Sequence, residues 1–270
     1  MQKPRLVASD VDGTLLDPTG AVTERTTAAV RGVLASGTPF VLVSGRPPRW
    51  IGSVTLATGL RGYAVCGNGA VLYDIDADKV LRSYPLEPML LHDVAHELDT
   101  VLPDCTLAVE RVGESAFALH GEEFLAEPGY RHPWAGDEHA LAPRGELLGH
   151  PAVKLLVRNW SMTSTEIIEA AEAVLGDAVT MTFSTNAGMI EVSAPGVTKR
   201  SGLAEVAGWL GVSAEEVVAF GDMPNDVPML RWAGHGVAMT GGHPDALAAA
   251  DEVTAANSQD GVAQVLERWF

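Results

Sequence analysis

Positive charge is scarce in this sequence: 18 Lys and Arg stand against 35 Asp and Glu, a net charge of −17. That balance argues against a nucleic-acid partner, which needs basic surface to displace counterions. It also repels an anionic ligand at long range, so any phosphate site must be made positive locally. Cysteine is scarcer still. Cys66 and Cys105 are too few for a disulfide framework or a cysteine-built zinc cluster, and their apolar neighbours predict buried thiols. No run approaches the roughly 20 apolar residues that a membrane span needs. The first apolar stretch stops at Asp10, too soon for a secretory leader. Together these absences predict a cytoplasmic protein that engages neither membrane nor nucleic acid.

What is present suits a globular enzyme. The 270 residues are 47% hydrophobic and 20% charged, near the size at which one core gives way to two domains. Arg5–Val11, Pro39–Ser44 and Tyr63–Cys66 are predicted strands, with a helix over Thr23–Ala35 capped by Thr23 and ended before Gly37. Pro47 and Pro48 suit the first turn of another helix. After Gly67-Asn68-Gly69 the chain is expected to return as a hairpin over Ala70–Tyr73. A helix over Thr198–Leu210, strands at Val217–Phe220, Gly236–Met239 and Glu252–Thr254, and a closing helix over Val262–Trp269 resume the alternation. Ser213-Ala-Glu-Glu216 matches a capping box, although a strand is expected directly after it. Apolar strands separated by helices predict a Rossmann-like α/β core with a parallel sheet covered on both faces.

The middle reads differently. A helix over Met89–Leu102 precedes strands at Thr106–Val112, Ala116–His120 and Val153–Arg158. A helix over Ser164–Leu175 and strands at Val179–Ser184 and Met189–Ser193 follow. Grouped strands with few crossovers predict an inserted α+β domain, giving boundaries of 1–84, 85–189 and 190–270. The loop-rich stretch His132–Gly149 carries Trp134, which either faces a ligand or packs on the surface. The histidines at 132, 139, 150, 235 and 243 show no metal-ligand spacing and are read as surface or loop residues.

Three polar clusters fall at predicted strand ends: Asp10/Asp12, Ser44-Gly45-Arg46, and Gly221-Asp222-Met-Pro-Asn225-Asp226. Ligands of open parallel sheets bind beyond these ends. If the strands are neighbours, up to four carboxylates meet. Two charges about 4 Å apart repel by roughly 4 kcal/mol at an effective dielectric near 20, so such a cluster needs a cation. Hard oxygen donors without thiols point to Mg²⁺. One carboxylate can then attack phosphorus and a second, two residues on, can move protons for the leaving oxygen and the attacking water. The hydroxyl of Ser44, nearby backbone amides and a lysine can hold the phosphoryl oxygens.

DVDGT at 10–14, SGR at 44–46, Lys199 in GVTKRSGL and GDMPND at 221–226 resemble, in order, the four motifs of the haloacid dehalogenase superfamily. Asn68-Gly69-Ala70 and Asp260-Gly261-Val262-Ala263 resemble its Cof-type, subclass IIB phosphatases. The resemblance covers nearly the whole chain outside the insertion. It implies Asp10 as nucleophile and metal ligand, and Asp12 as general acid/base with its carbonyl on Mg²⁺. Thr14, Ser44, Gly45 and Lys199 are implied as phosphate-site residues and Asp222 as a direct metal ligand, with Asn225 and Asp226 in support. Arg46 is placed equally between a substrate contact and a surface charge. The span from Asp12 to Ser44 is too short for a cap, whereas that from Ser44 to Lys199 has room for a C2-type cap. One departure stands out: Val237-Ala-Met-Thr240-Gly241-Gly242 replaces the usual Val-x-Met-Gly-Asn-Ala.

Each motif has a plainer reading. Asp12-Gly13 and Ser44-Gly45 could be ordinary turns, Lys199 and Arg200 solvated charges, and Asn68 only a turn residue tolerating positive φ. The leading expectation is a Mg²⁺-dependent phosphatase acting on a small phosphorylated metabolite such as a sugar phosphate. The alternatives are a phosphomutase or phosphotransferase using the same aspartyl-phosphate, and a non-catalytic binding protein.

Overall fold

The computed structural model describes residues 2–132 and 140–270; Trp134 and His139 lie outside the described residues. Two compact units divide the chain, Met1–Leu81 with Thr198–Phe270, and Arg82–Val197. The chain begins with β1 (Leu6–Ser9), α1 (Glu24–Ala35), β2 (Phe40–Val43), α2 (Gly52–Thr58), β3 (Tyr63–Cys66), β4 (Val71–Asp74) and β5 (Lys79–Ser83). The second unit supplies α3 (Pro88–Val101), β6 (Thr106–Glu110), β7 (Phe124–Ala126), β8 (Ala140–Leu141), α4 (Arg144–Leu148), β9 (Lys154–Arg158), α5 (Ser164–Leu175), β10 (Thr180–Thr182) and β11 (Met189–Ser193). The chain then returns through α6 (Lys199–Trp209), β12 (Val217–Gly221), α7 (Val227–Trp232), β13 (His235–Met239), α8 (Pro244–Ala249), β14 (Glu252–Thr254) and α9 (Gly261–Leu266).

The first unit's sheet has eight strands in the order β14-β13-β12-β1-β2-β3-β4-β5. Pairing is parallel from β14 to β3 and turns antiparallel between β3 and β4. β1, β2 and β12 are buried along their whole length, as strands covered on both faces must be. Leu6, Ala8, Val41, Val43 and Ala219 share one core with Leu203, Val206 and Ala207 of α6. Thr23 caps α1 as expected, its Oγ1 accepting the Thr26 N–H at 3.1 Å. The Ser213–Glu216 box also forms, but it closes only one turn before β12 begins.

The second unit's sheet runs β10-β11-β9-β6-β7-β8, antiparallel except for β7–β8. Strand alternation sorts its faces. Leu107, Val109, Leu155, Val157, Ile190 and Val192 pack with Leu91, Leu98, Ile167 and Ala171 of α3 and α5. The opposite face carries Ala108, Phe124, Leu156 and Met189, together with a buried ion pair between Lys154 and Glu191. Ser184 Oγ donates to the remaining Glu191 oxygen at 2.7 Å.

Several expectations need correction. Ala116–His120 is not a strand. It folds as turns whose Leu119 and Gly121 N–H groups donate to the Glu123 carboxylate at 3.0 and 2.7 Å. Met189–Ser193 is bonded between β9 and β10, so the return to the first unit comes at Thr198, after residue 190. The other division falls at Leu81, inside β5 and ahead of residue 84. His235 is no surface residue: it is buried in β13 with Nε2 3.0 Å from Glu252 Oε2. Cys66 is buried, whereas Cys105 is only half-buried. No helix among the described residues is long and apolar enough to cross a membrane.

Candidate active site

The three polar clusters do meet, because β12, β1 and β2 are adjacent and parallel, with Ser9 beside both Phe220 and Leu42. Their last residues therefore leave the sheet at one edge. Asp10 follows β1, its N–H donating to Phe220 O at 2.9 Å. The chain then turns over Val11–Leu15, closed by Leu16 N–H to Val11 O at 2.9 Å. Gly13 makes this possible. Its φ is +77°, and a Cβ there would lie 2.2 Å from Asp222 Oδ2. With no side chain in the way, Asp222 approaches the turn and accepts the Thr14 hydroxyl at 3.1 Å.

Lys199 opens α6 and is 1% exposed. Its Nζ lies 2.5 Å from Asp10 Oδ1 and 2.6 Å from Asp226 Oδ1. The other Asp226 oxygen accepts the N–H groups of Asp222 and Met223, both at 3.0 Å, which fixes the loop after β12. Gly221 belongs to the same packing, since a Cβ there would meet the Asp226 side chain at 2.5 Å.

Asp10, Asp222 and Asp226 each bring a carboxylate oxygen within 4.8 Å of the others. Among the described residues, the three ionised carboxylates against the Lys199 ammonium, which pairs with Asp10 and Asp226, leave two surplus negative charges, the amount a divalent cation balances. Burial pushes the Asp10 carboxyl well above the usual carboxylate range; Lys199 opposes the rise, and Asp226, Asp222 and Asp12 add to it. Asp222 is pushed up to about 7, by burial first and by Asp226 next. Burial alone would depress Lys199, but Asp10 and Asp226 outweigh it and hold the ammonium above its ordinary value. Asn225 Oδ1 adds a buried acceptor with no hydrogen-bond partner among the described residues. An all-oxygen donor set with excess negative charge fits Mg²⁺.

The end of β2 supplies the other side of the site. Ser44 is buried, its backbone tied to the next strand by Ser44 N–H to Val65 O at 2.8 Å and Asn68 N–H to Ser44 O at 3.0 Å. Its Oγ accepts the Arg46 N–H at 3.1 Å, and Gly45 lies half-buried between them. Arg46 holds Asp12 through both carboxylate oxygens and donates from Nη1 to Trp50 O at 3.1 Å. The Asp12 carboxylate is thus engaged by Arg46, outside the group formed by Asp10, Asp222 and Asp226.

Two segments that the sequence marks without giving them a contact in the site contribute to it. Asn68 does adopt the left-handed conformation of a turn residue, with φ 57°, but it also accepts the Asn225 Nδ2–H at 3.1 Å. The unusual Thr240-Gly241-Gly242 segment braces Asp222 from behind. His243 N–H donates to Asp222 O at 2.7 Å, and a Cβ on Gly242 would sit 2.8 Å from that oxygen. The two adjacent glycines were the only sequence sign of that close approach.

A family profile described as haloacid dehalogenase-like hydrolase matches residues 7–266. The 5-amino-6-(5-phospho-D-ribitylamino)uracil phosphatase YitU of Bacillus subtilis is 27% identical, with 99% of this chain and 98% of that protein aligned. Among solved structures, the phosphatase BT1666 from Bacteroides thetaiotaomicron superposes with a TM-score of 0.81 at 22% identity, covering 99% of this chain and 95% of that one. The subclass IIB sugar phosphatase BT4131 does so with a TM-score of 0.80 at 21% identity, covering 99% of each chain. The two solved structures share the fold, and the profile spans both units. On that match the chain belongs to the haloacid dehalogenase-like hydrolases, in their Cof-type branch.

Proposed function

We propose that the protein is a Mg²⁺-dependent phosphatase that hydrolyses a small phosphorylated metabolite, such as a sugar phosphate, through an aspartyl-phosphate on Asp10. One observation carries the reading. A buried carboxylate at the end of a central strand is held by a buried lysine, beside further carboxylates that leave negative charge to be balanced. The names of YitU and BT4131, both phosphatases of small phosphorylated compounds, support the same reaction class.

Asp10 attacks phosphorus, and the leaving alkoxide takes a proton from Asp12. Asp12 then removes a proton from water, which attacks the same phosphorus, releases phosphate and restores Asp10. Lys199, Thr14, Ser44 and the Gly45 amide hold the phosphoryl oxygens. Asp226 keeps Lys199 in place, Arg46 orients Asp12, and Asn225 supports the metal-side loop. The Asp10 and Asp222 carboxylates and the Asp12 carbonyl would hold Mg²⁺, which neutralises charge on the phosphoryl group when bound. The second unit is a C2-type cap domain in this reading, and the cytoplasm is the compartment that the two free thiols suit.

Phosphate release from a panel of phosphorylated metabolites with Mg²⁺, wild type against Asp10→Asn, tests the proposal. Turnover lost in the variant is the expected result. Turnover that survives in Asp10→Asn removes the nucleophile and the mechanism with it. Phosphorylated product without free phosphate, in a single turnover, would make the protein a transferase.

A further inference from the structure

The turn Gly67-Asn68-Gly69 touches three of the four site segments, although none of its residues has a part in the chemistry above. Its backbone holds the end of β2: Asn68 N–H donates to Ser44 O and Gly67 N–H to Arg46 O, each at 3.0 Å. Its third residue seats the start of α6. A Cβ on Gly69 would lie 2.0 Å from Thr198 O, and one on Gly202 would lie 3.0 Å from Gly69 Cα. The backbone that carries Lys199 therefore rests directly on the turn. The Asn68 side chain reaches the loop after β12, where its Oδ1 accepts the Asn225 Nδ2–H at 3.1 Å.

A demand for left-handed backbone alone does not account for Asn68. Its neighbours Gly67 and Gly69 both have positive φ, and glycine meets that demand without strain. Position 68 instead keeps an amide that is 2% exposed. Burying an amide is unfavourable unless its hydrogen bonds are made, so the partner is what justifies the side chain. That bond also orients Asn225. With Nδ2 turned to Asn68, Oδ1 is the end left over, a buried acceptor in the loop between Asp222 and Asp226 with no hydrogen-bond partner among the described residues.

We propose that Asn68 is a positioning residue that fixes the amide orientation of Asn225 and so holds the loop between Asp222 and Asp226 in its active arrangement. The inference rests on the phosphatase reading. Asn68 acts through Asn225 and touches no reacting atom, while the glycines on either side allow Ser44 and Lys199 to be set against the same turn.

The experiment is a double-mutant cycle on p-nitrophenyl phosphate hydrolysis with Mg²⁺, using wild type, Asn68→Gly, Asn225→Ala and the double variant, each with its Tm. Asn68→Gly keeps the left-handed backbone and removes only the amide. Its kcat is expected to fall about tenfold, the scale of losing a residue that orients a site group, with KM nearly unchanged. Its Tm is expected to stay within about 4 °C of wild type. The double variant is expected to be no slower than Asn225→Ala, since the two residues act as one unit. Asn68→Asp retains an acceptor oxygen and tolerates the same backbone, so it should lose less than the glycine variant. Unchanged kcat in Asn68→Gly, losses that multiply in the double variant, or an Asn68→Asp as slow as Asn68→Gly would each overturn the inference while leaving the phosphatase reading standing. A wild type as inert as Asp10→Asn would overturn that reading, and the inference with it.

Discussion

Arg46 grips Asp12 through both carboxylate oxygens, Nε to Oδ2 at 2.8 Å and Nη2 to Oδ1 at 2.6 Å. Paired forks of this kind fix direction as well as charge. A lysine at position 46 keeps the charge and loses the fork. Arg46→Lys is therefore expected to lower kcat about tenfold with little change in KM. That is less than the roughly 10²–10⁴-fold expected for Asp12→Ala, which removes the proposed proton-transfer group itself. Steady-state kinetics on one substrate checks both; an Arg46→Lys enzyme with wild-type kcat would leave the pair without a role in turnover.

Metal removal should make stability depend on pH in an unusual direction. Asp222 sits at about 7 in the folded chain, against an ordinary 3.8, and Asp10 is displaced the same way. Between about pH 4 and pH 7 the folded state thus holds protons that the unfolded chain has released. The metal-free protein is fully stabilised below that window and loses stability as pH rises through it, by on the order of a few kcal/mol. Mg²⁺ favours the ionised carboxylates, so its addition should raise Tm more at pH 7.5 than at pH 5. Thermal melts in EDTA and in Mg²⁺ at the two pH values measure this; a metal-free Tm that climbs from pH 5 to pH 7.5 would contradict the assignment.

Gly13→Ala tests the close approach of the turn after β1 to Asp222. The new methyl would lie 2.2 Å from Asp222 Oδ2 on a backbone with φ +77°. Left-handed backbone costs a residue with a Cβ on the order of 1–2 kcal/mol before any clash is relieved. Displacing Asp222 also disturbs the carboxylate cluster. The expected outcome is a lowered Tm together with a weaker response of Tm to added Mg²⁺. A variant with wild-type Mg²⁺ response would show that Asp222 moves aside without consequence.

In the second unit, Lys154→Ala is expected to destabilise by about 3–5 kcal/mol, because it strands the Glu191 carboxylate at a buried site. Lys154→Met with Glu191→Leu, which removes both charges, should recover most of that loss. Urea unfolding of the wild type and the two variants gives the comparison, and equal losses in single and double variants would assign the effect to packing.

The sequence made β1, β2 and β12 legible because each is a short apolar run entering a polar cluster, and that pattern needs no distant information. Their adjacency stays a condition in the sequence and is supplied by the sheet order, and with it the meeting of Asp10, Lys199 and Asp222. Features made by close approach were not legible. Nothing in the sequence near Asp12 says that Arg46 would turn to it, because the partner is chosen by the turn after β2. Asn68 was read as backbone chemistry, since its partner Asn225 is 157 residues away. His235 was misread because its neighbour Glu252 lies on an edge strand that only the sheet order brings alongside. Ala116–His120 has a strand's composition but sits where the Glu123 carboxylate draws backbone N–H groups into turns.

β1 has its nearer neighbour β2 available early, but its other neighbour, β12, begins only at Val217. During synthesis from the N-terminus, one long side of β1 stays bare while the whole inserted unit is made. The carboxylate at its tip likewise waits for a lysine 189 residues downstream. Any nascent chain ending before α6 thus carries the Asp10 carboxylate without its ammonium and an open strand edge. The order of translation leaves the β1–β12 join, in the middle of the sheet, open until the whole inserted unit has been made.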